Sequence, residues 1–430
     1  MLSDLLSLHL ISGPVPTIVR VAGVIALVSV LISRRPRRWL PIAGIVSFGG
    51  LGLGYALCWL LGDVLDLFGV DLSLVTRTWF AVLVAGLALG IARACVAGAG
   101  PKVLGAAVAI VAVLVGSIGI NADLGEFPTV RAVFGGHDYR PIALPALGTT
   151  RPVAGWSAPS DLPHSGRVGS AVIPPVHSHF AARDALVYLP PAALVTDPAR
   201  LPVLVMLSGQ PGSPSDLFTS GALATHLDTY ARAHAGLAPI VVVPDQLGAP
   251  GRNPMCVDGA LGNSATYVLR DVSSWIHAHL NVLGGAASWG IGGFSQGGTC
   301  AIQFGAAHPE RYGSILDISG EVAPKRGTLQ QTIDAGFGGS RGAYEAAVPA
   351  AIMKRHGAYD GTFAQFCVGA DDARYGPGLR TVAREATNAG MQTTLDISPG
   401  TAHDWHTVQY ALSRMIPALG AHWRLGGAGA

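Results

Sequence analysis

Long apolar stretches dominate the first part of the chain and are separated by short polar segments. The stretches are residues 16–33, 39–61, 78–97 and 103–120. Each approaches the roughly 20 residues that a helix needs to cross about 30 Å of hydrocarbon. Buried helices of a soluble protein are shorter and amphipathic. We therefore predict a transmembrane anchor of four spans within residues 1–121. The first span is not expected to be a cleaved signal peptide, because a basic hairpin and further spans follow it.

The charges between the spans predict their orientation. The first connection carries Arg34, Arg35, Arg37 and Arg38, the third is flanked by Arg93 and Lys102, and the second carries Asp63, Asp66 and Asp71. Positively charged loops stay in the cytoplasm. Both termini, and the C-terminal part of the chain, are therefore expected outside the cytoplasmic membrane. The spans contain no acid or paired charges of the kind that line a transport pathway, so we interpret them as an anchor.

Proline, glycine and short polar residues are frequent in residues 122–167, which predicts a linker. From residue 168 onward, strand-like and helical runs alternate. The strand-like runs are 168–173, 185–189, 202–207, 239–243, 286–291, 313–318, 363–368 and 392–397, and the main helical runs are 216–235, 266–280, 299–307, 379–389 and 405–419. This alternation predicts a mostly parallel sheet with helices on both faces, in one α/β domain over residues 168–430.

The stretch Gly293-Phe294-Ser295-Gln296-Gly297 lies between a strand-like run and a helical run. A strand followed by the pattern Gly-x-Ser-x-Gly and then by a helix forms the nucleophile elbow of an α/β-hydrolase. The serine occupies a strained turn, and the residues two before and two after it pack too closely for a Cβ. The pattern predicts Ser295 as a catalytic nucleophile.

A serine nucleophile needs a general base, and the base needs an acid that fixes its tautomer. In this fold the acid and then the histidine follow the serine along the chain. Asp372 is favoured as the acid. Asp371 remains a close alternative, and Asp317 or Glu321 is a further one. His403 is favoured as the base because it precedes the last helical run.

His406, one turn into that helix, is the alternative base. The oxyanion requires two backbone N–H donors. One is expected on Gln296, directly after the nucleophile. The other is expected on Gln210, in the loop after the strand-like run 202–207.

The overall composition limits the possible functions. Only 13% of the residues are charged and the net charge is +2, which argues against nucleic-acid binding. The cysteines have no metal-binding spacing, and we expect neither a metal nor another cofactor. Since the predicted topology puts the catalytic domain in an oxidising compartment, we predict a disulfide between Cys256 and Cys300. Cys367 lies within an apolar strand and is expected to be a free, buried thiol.

The elbow, the acid in Gly369-x-x-Asp372 and the ending His403-Asp404-Trp405 resemble the putative esterase family. That family includes enterochelin-type and esterase-D-type enzymes and the secreted mycolyltransferases. The run from Asn121 to Thr129 resembles a membrane-anchored bacterial branch with four preceding spans. The resemblance implies an α/β-hydrolase fold and a Ser-Asp-His mechanism on esters. This chain has Ser208 where the mycolyltransferases have a sugar-holding acid, and its triad acid is Asp rather than Glu.

These observations favour a membrane-anchored, extracytoplasmic serine esterase or acyltransferase that acts on acyl esters of the cell envelope. The expected partners are an acyl-ester substrate, such as an envelope lipid or glycolipid, and membrane lipids around the spans; no nucleic acid is expected. The alternative is a catalytically inactive hydrolase fold that serves as an envelope binding or scaffold protein. Hydrolysis and transfer to an alcohol use the same catalytic parts, so the sequence leaves both open.

Overall fold

The computed structural model describes residues 2–32, 36–96, 98–135, 139–147 and 151–426. Arg34 and Arg35, which contribute to the predicted topology, lie outside these residues. Internal contacts divide the chain into an N-terminal unit, Met1–His137, and a C-terminal unit, Asp138–Ala430.

Four helices of the N-terminal unit are long and apolar enough to cross a membrane. The helices of this unit are α1 (Leu2–Leu6), α2 (Pro14–Leu31), α3 (Pro36–Cys58), α4 (Leu74–Ala94), α5 (Ala99–Leu124) and α6 (Val130–Val133), and a π-helical turn, Trp59–Val64, continues α3. The four long apolar helices are α2 to α5, and they suggest a membrane protein.

Small residues allow these helices to approach closely. A Cβ on Gly54 would lie 2.5 Å from Cα of Ala81, and a Cβ on Gly90 would lie 2.7 Å from the carbonyl oxygen of Gly105. Neither position therefore tolerates a larger side chain without a shift of the backbone. Glycine at such contacts is typical of membrane helices, where backbone packing replaces the hydrophobic effect as the source of association.

The last long helix extends past the point at which the sequence predicts a linker. α5 ends at Leu124, and Gly125 then adopts the left-handed conformation with φ of 69°. Asn121 receives a hydrogen bond from the backbone N–H of Phe127 (2.7 Å) and donates one to its carbonyl (2.8 Å). These two bonds pair the backbone N–H and carbonyl groups of Phe127 and thereby fix the turn after α5.

An eight-stranded sheet forms the centre of the C-terminal unit, with strand order β1-β2-β4-β3-β7-β8-β9-β10. Its strands are β1 (Arg167–Ala171), β2 (Ala185–Leu189), β3 (Val203–Leu207), β4 (Ile240–Val243), β7 (Trp289–Phe294), β8 (Ser314–Ile318), β9 (Phe363–Gly369) and β10 (Gln392–Ser398), and a separate short hairpin comprises β5 (Asp258–Gly259) and β6 (Gly262–Asn263). At one edge β2 pairs antiparallel with both β1 and β4, and the remaining neighbours, from β4 through β10, are parallel.

Helices surround this sheet. They are α7 (Asp216–Thr219), α8 (Leu223–Ala233), α9 (Ser264–Thr266), α10 (Ser273–His279), α11 (Gln296–Ala307), α12 (Leu329–Phe337), α13 (Arg341–Ala347), α14 (Pro349–His356), α15 (Gly376–Asn388) and α16 (Trp405–His422), with a π-helical turn, Tyr267–Val272, before α10. The central strands β3, β7 and β8 are buried along their whole length. Such continuous apolar strands are typical of a parallel sheet covered on both faces. The predicted α/β fold is confirmed.

Candidate active site

Ser295 lies at the sharp turn between β7 and α11. Its backbone has φ of 56° and ψ of −119°, a conformation that residues with a side chain seldom adopt. The turn is held by the N–H of Ser295, which donates to the carbonyl of Ile318 (2.8 Å). A Cβ on Gly293 would collide with the backbone of Gly297, and a Cβ on Gly297 would collide with the carbonyl oxygen of Leu207, so neither position has room for a side chain. The turn presents the Ser295 hydroxyl at the carboxyl end of the sheet.

Three side chains from separate loops meet at this edge. Nε2 of His403 lies 2.9 Å from Oγ of Ser295, and Nδ1 of His403 lies 3.0 Å from Oδ2 of Asp372. The other carboxylate oxygen of Asp372 accepts a hydrogen bond from the backbone N–H of Tyr375 (2.9 Å). The structure thus brings together the three side chains that the sequence predicts as nucleophile, base and acid.

Aromatic rings cover the imidazole on two sides. The ring of Tyr375 lies 4.3 Å from the ring of His403, and the ring of Phe294 lies 5.0 Å from it. The side chains of His403 and Asp372 are only 8% and 2% exposed. Exclusion of water strengthens the interaction between the imidazole and the carboxylate, because the local dielectric constant is low. Neither aromatic contact is evident in the sequence, since each depends on how the loops fold.

The alternative acids and the alternative base lie elsewhere. Asp371 is exposed, and its backbone N–H donates to the carbonyl of Thr401 (2.9 Å), which ties the acid loop to the histidine loop. Asp317 is fully buried, and its Oδ1 accepts the N–H of Gly320 (2.9 Å). His406 lies in the first turn of α16.

Burial changes the charge state of two carboxyl groups near the nucleophile. It raises the pKa of Asp317 to about 7, an effect that the N–H of Gly320 partly opposes. It also raises the pKa of Glu321 to about 7, an effect that Lys325 and Arg374 partly oppose. Both acids are therefore partly neutral at pH 7, unlike ordinary surface carboxylates.

The predicted oxyanion donors lie on two segments that one buried side chain connects. Nε2 of Gln246 donates to the carbonyl of Ser208 (2.7 Å) and to Oε1 of Gln296 (3.0 Å). Gln210 follows Ser208 by two residues, and its peptide bond to Pro211 is cis. Among the described residues, the backbone N–H groups of Gln210 and Gln296 have no hydrogen-bond acceptor. Gln246 was not singled out from the sequence, because an isolated glutamine after a strand carries no motif.

An ion pair also stabilises the loop after β3, which carries Gln210. Arg183 contacts both carboxylate oxygens of Asp245 at 2.8 Å and donates to the carbonyl of Gly212 (2.9 Å). Burial raises the pKa of Asp245, but the hydrogen bonds from Arg183 outweigh this effect and lower the pKa overall. Asp245 therefore remains ionised and anchors the loop through Arg183.

The predicted disulfide between Cys256 and Cys300 is present, with the two Cα atoms 5.6 Å apart. It connects the loop after β4 to the second turn of α11, the helix that follows the nucleophile. Cys367 is a free and fully buried thiol, as predicted, and burial raises its pKa to about 12.

A cavity of about 290 Å³ opens next to the Tyr375 ring. It is lined by Glu321, Val322, Ala323, Pro324, Lys325, Gly327, Leu329, Thr332, Tyr344, Arg374, Tyr375 and Gly378. These residues come from the segment after β8, from helices α12 and α13, and from the loop before α15 together with its first turn. No group of three or more histidine, cysteine, aspartate or glutamate side chains suited to a metal ion occurs in the part of the chain that the structure describes.

The sequence matches the family described as "Putative esterase" over residues 181–418. An uncharacterized protein of Corynebacterium glutamicum is 39% identical over 241 residues, which cover 55% of this chain and 56% of that protein. The match therefore spans little more than half of the relative's length.

Two solved structures resemble the C-terminal unit. A ferulic acid esterase has a TM-score of 0.50 at 17% identity and covers 61% of this chain and 100% of its own. An S-formylglutathione hydrolase from Agrobacterium tumefaciens has a TM-score of 0.48 at 19% identity, with coverages of 61% and 96%. At 17% identity, the resemblance to the first structure supports the fold alone.

The parallel sheet and the strand–serine–helix turn define a protein of the α/β-hydrolase class. Because the family pattern covers more than half of the sequence, the chain belongs to the putative esterase family. The predicted family and fold are confirmed.

Proposed function

We propose that the protein is a membrane-anchored serine esterase or acyltransferase, with its catalytic unit outside the cytoplasmic membrane, that acts on acyl esters of the cell envelope. One observation carries the catalytic part of this proposal. The imidazole of His403 connects the other two side chains: its Nε2 lies 2.9 Å from Oγ of Ser295, and its Nδ1 lies 3.0 Å from Oδ2 of Asp372. These are hydrogen-bond distances, as proton transfer requires.

In the proposed reaction, Oγ of Ser295 attacks the acyl carbonyl while Nε2 of His403 takes the hydroxyl proton. Asp372 holds the imidazole in the tautomer with hydrogen on Nδ1 and stabilises the imidazolium that forms. The backbone N–H groups of Gln296 and Gln210 donate to the oxyanion. The tetrahedral intermediate then collapses, and His403 returns the proton to the departing alcohol, which leaves an acyl-Ser295 ester.

The second half of the reaction reverses these roles. His403 takes a proton from water or from an acceptor alcohol, the resulting oxygen nucleophile attacks the acyl-Ser295 carbonyl, and the proton passes to Oγ of Ser295. Water gives a free acid, and an alcohol gives a new ester. A product analysis with native envelope lipid, in the presence and absence of added alcohols, distinguishes hydrolysis from transfer.

Replacement of the nucleophile tests the catalytic proposal. Ser295→Ala should lower turnover of an activated ester by about a million-fold, the scale known for removal of a serine nucleophile. Ser319→Ala is a suitable control, because Ser319 also directly follows a strand of the sheet and also has a positive φ. Retention of a tenth of the activity by Ser295→Ala would exclude Ser295 from the mechanism.

The topology rests on the asymmetry of charge between the loops and has its own test. A reporter fused after Ala430 or near Gly148 should report an extracytoplasmic position, and one inserted between Arg35 and Arg38 a cytoplasmic position. Gly148 and Ala430 lie outside the residues that the structure describes. A C-terminal unit protected from protease in intact spheroplasts would contradict the proposed orientation.

A further inference from the structure

The cavity beside Tyr375 is connected to the reacting groups through both of its walls. On one wall, the Tyr375 ring packs against the ring of His403, with the two ring centroids 4.3 Å apart. On the other wall, the backbone N–H of Glu321 donates to Oγ1 of Thr299 (2.8 Å), and Thr299 lies one turn after Ser295 in α11. A molecule in this cavity is therefore close to an ester that reacts at Ser295.

Apolar side chains form the mouth of the cavity. Val322 and Leu329 both line it, and they are 47% and 46% exposed. A Cβ on Gly378 would lie only 2.8 Å from Cγ1 of Val322, so glycine at this position allows the wall to close. Exposed apolar residues grouped around a concave site commonly contact an apolar part of a ligand.

The charged residues of the cavity do not balance one another. Lys325 and Arg374 contribute two positive charges, and Glu321 is the only carboxyl group among the lining residues. Burial raises the pKa of this carboxyl to about 7, so that it is about half neutral at pH 7. The cavity thus has an excess of positive charge around an apolar mouth, which is complementary to an anion attached to an apolar segment.

We propose that this cavity binds an acidic group, a carboxylate or phosphate, that the ester substrate carries on an apolar segment. The inference rests on the proposed esterase function and names the substrate class of the same site. Lys325 and Arg374 pair with the anion, and Val322 and Leu329 contact the segment that carries it. The acidic group belongs either to the acyl part or to the alcohol part of the ester, and matched substrates separate these two sources.

The test uses the full-length protein in detergent and two pairs of esters. In the first pair, 4-nitrophenyl butyrate is compared with mono-4-nitrophenyl succinate, which carries a carboxylate on the acyl part. In the second pair, methyl 4-acetoxybenzoate is compared with 4-acetoxybenzoate, which carries it on the alcohol part. Within at least one pair, kcat/KM should be roughly tenfold or more higher for the anionic ester, as expected for a hydrogen bond to a charged group.

Three variants test whether the charged residues of the cavity cause the preference for anionic esters. Lys325→Gln should reduce the ratio of kcat/KM between anionic and neutral esters, and Lys325→Arg should retain most of it. Glu321→Gln should increase the ratio, because it removes the opposing charge. Lys354→Gln is the matched control: Lys354 is an exposed lysine of α14 that does not line the cavity, and its replacement should leave the ratio unchanged.

Each outcome has a defined meaning. Equal kcat/KM within both pairs, or a preference that Lys325→Gln and Glu321→Gln leave unchanged, would overturn the proposed acid-binding cavity while the esterase function stands. Absence of hydrolysis of all four esters by the wild-type protein would instead contradict the esterase function and, with it, this inference.

Discussion

The side-chain amides of Gln246 and Gln296 lie in direct contact, with Nε2 of the first 3.0 Å from Oε1 of the second. The same Nε2 donates to the carbonyl of Ser208 at 2.7 Å. Gln246 is fully buried, and Oγ of Ser264 donates to its backbone carbonyl (2.7 Å). One fixed side chain therefore sets the spacing between the two segments that carry the proposed oxyanion donors.

Gln246→Ala should consequently lower kcat with a much smaller effect on KM. Removal of an oxyanion donor costs about 100- to 1000-fold in kcat, and displacement of the donors should cost less, about 10- to 100-fold. Steady-state kinetics with a neutral ester, together with the rate of labelling by a fluorophosphonate, measure this effect. Gln409→Ala is the control, because Gln409 also donates to a carbonyl, that of Ser220, away from the site. Equal losses in both variants would indicate a general effect on stability.

The adjacent aspartates are expected to respond differently to the same substitution. Asp372→Asn should lower kcat by about 10,000-fold, because an amide stabilises the wrong imidazole tautomer. Asp371→Asn should change kcat by less than about threefold, since the side chain of Asp371 is exposed and its backbone N–H makes the structural contact. Steady-state kinetics of the two variants provide the measurement. The reverse order of effects would assign the acid to Asp371.

Loss of the disulfide should destabilise the C-terminal unit. Cys256 and Cys300 are separated by 44 residues, and a bond that closes such a loop contributes about 2–4 kcal/mol to the free energy of unfolding. The double variant Cys256→Ala, Cys300→Ala should therefore unfold at a lower temperature than the wild type. A reductant should lower the unfolding temperature of the wild type and leave that of the double variant unchanged. Free thiols at both positions in the exported protein would contradict the assignment.

Asp317 should make stability depend on pH. Burial raises its pKa to about 7, whereas an aspartate in an unfolded chain has a pKa of about 3.9. Between these values the folded protein retains a proton that the unfolded chain releases. The free energy of unfolding therefore falls as the pH rises through this window, by at most about 1.4 kcal/mol per pH unit.

Asp317→Asn mimics the neutral acid and cannot ionise. The unfolding temperature of this variant, relative to that of the wild type, should rise between pH 5 and pH 8. Asp360→Asn, at an exposed aspartate, provides the matched comparison. A difference between Asp317→Asn and the wild type that stays constant with pH would show that Asp317 keeps the same charge in the folded and unfolded states.

The apolar pattern was sufficient to predict the sheet, because strands buried on both faces form continuous runs that polar turns interrupt. β3 and β8 are fully buried runs of this kind, and the structure contains strands at the predicted places. The ends of the strands and helices were predicted less accurately. The run predicted as one helix over residues 216–235 consists of α7 and α8, because Ala222 between them has a positive φ of 51° that interrupts the helix.

Parts of the candidate site that depend on contacts between loops were not predictable. The approach of Tyr375 to His403 requires that the acid loop and the histidine loop fold against each other. Gln246 acquires its role only because two other loops place acceptors on either side of its amide. By contrast, Ser295 was predicted because the strained turn imposes glycines at fixed positions, and such a local constraint is visible in the sequence.

The most direct test of the proposed mechanism is detection of the acyl-enzyme. The full-length protein is mixed with 4-nitrophenyl butyrate, quenched with acid during turnover, digested and analysed by mass spectrometry. We predict one butyryl group on the peptide that contains Ser295, and no adduct in Ser295→Ala. In His403→Ala, the fraction of protein that carries the butyryl group should be greater than its slow turnover alone would suggest. A butyryl group on another residue, or turnover by the wild type without any adduct at Ser295 under rapid quenching, would contradict the account.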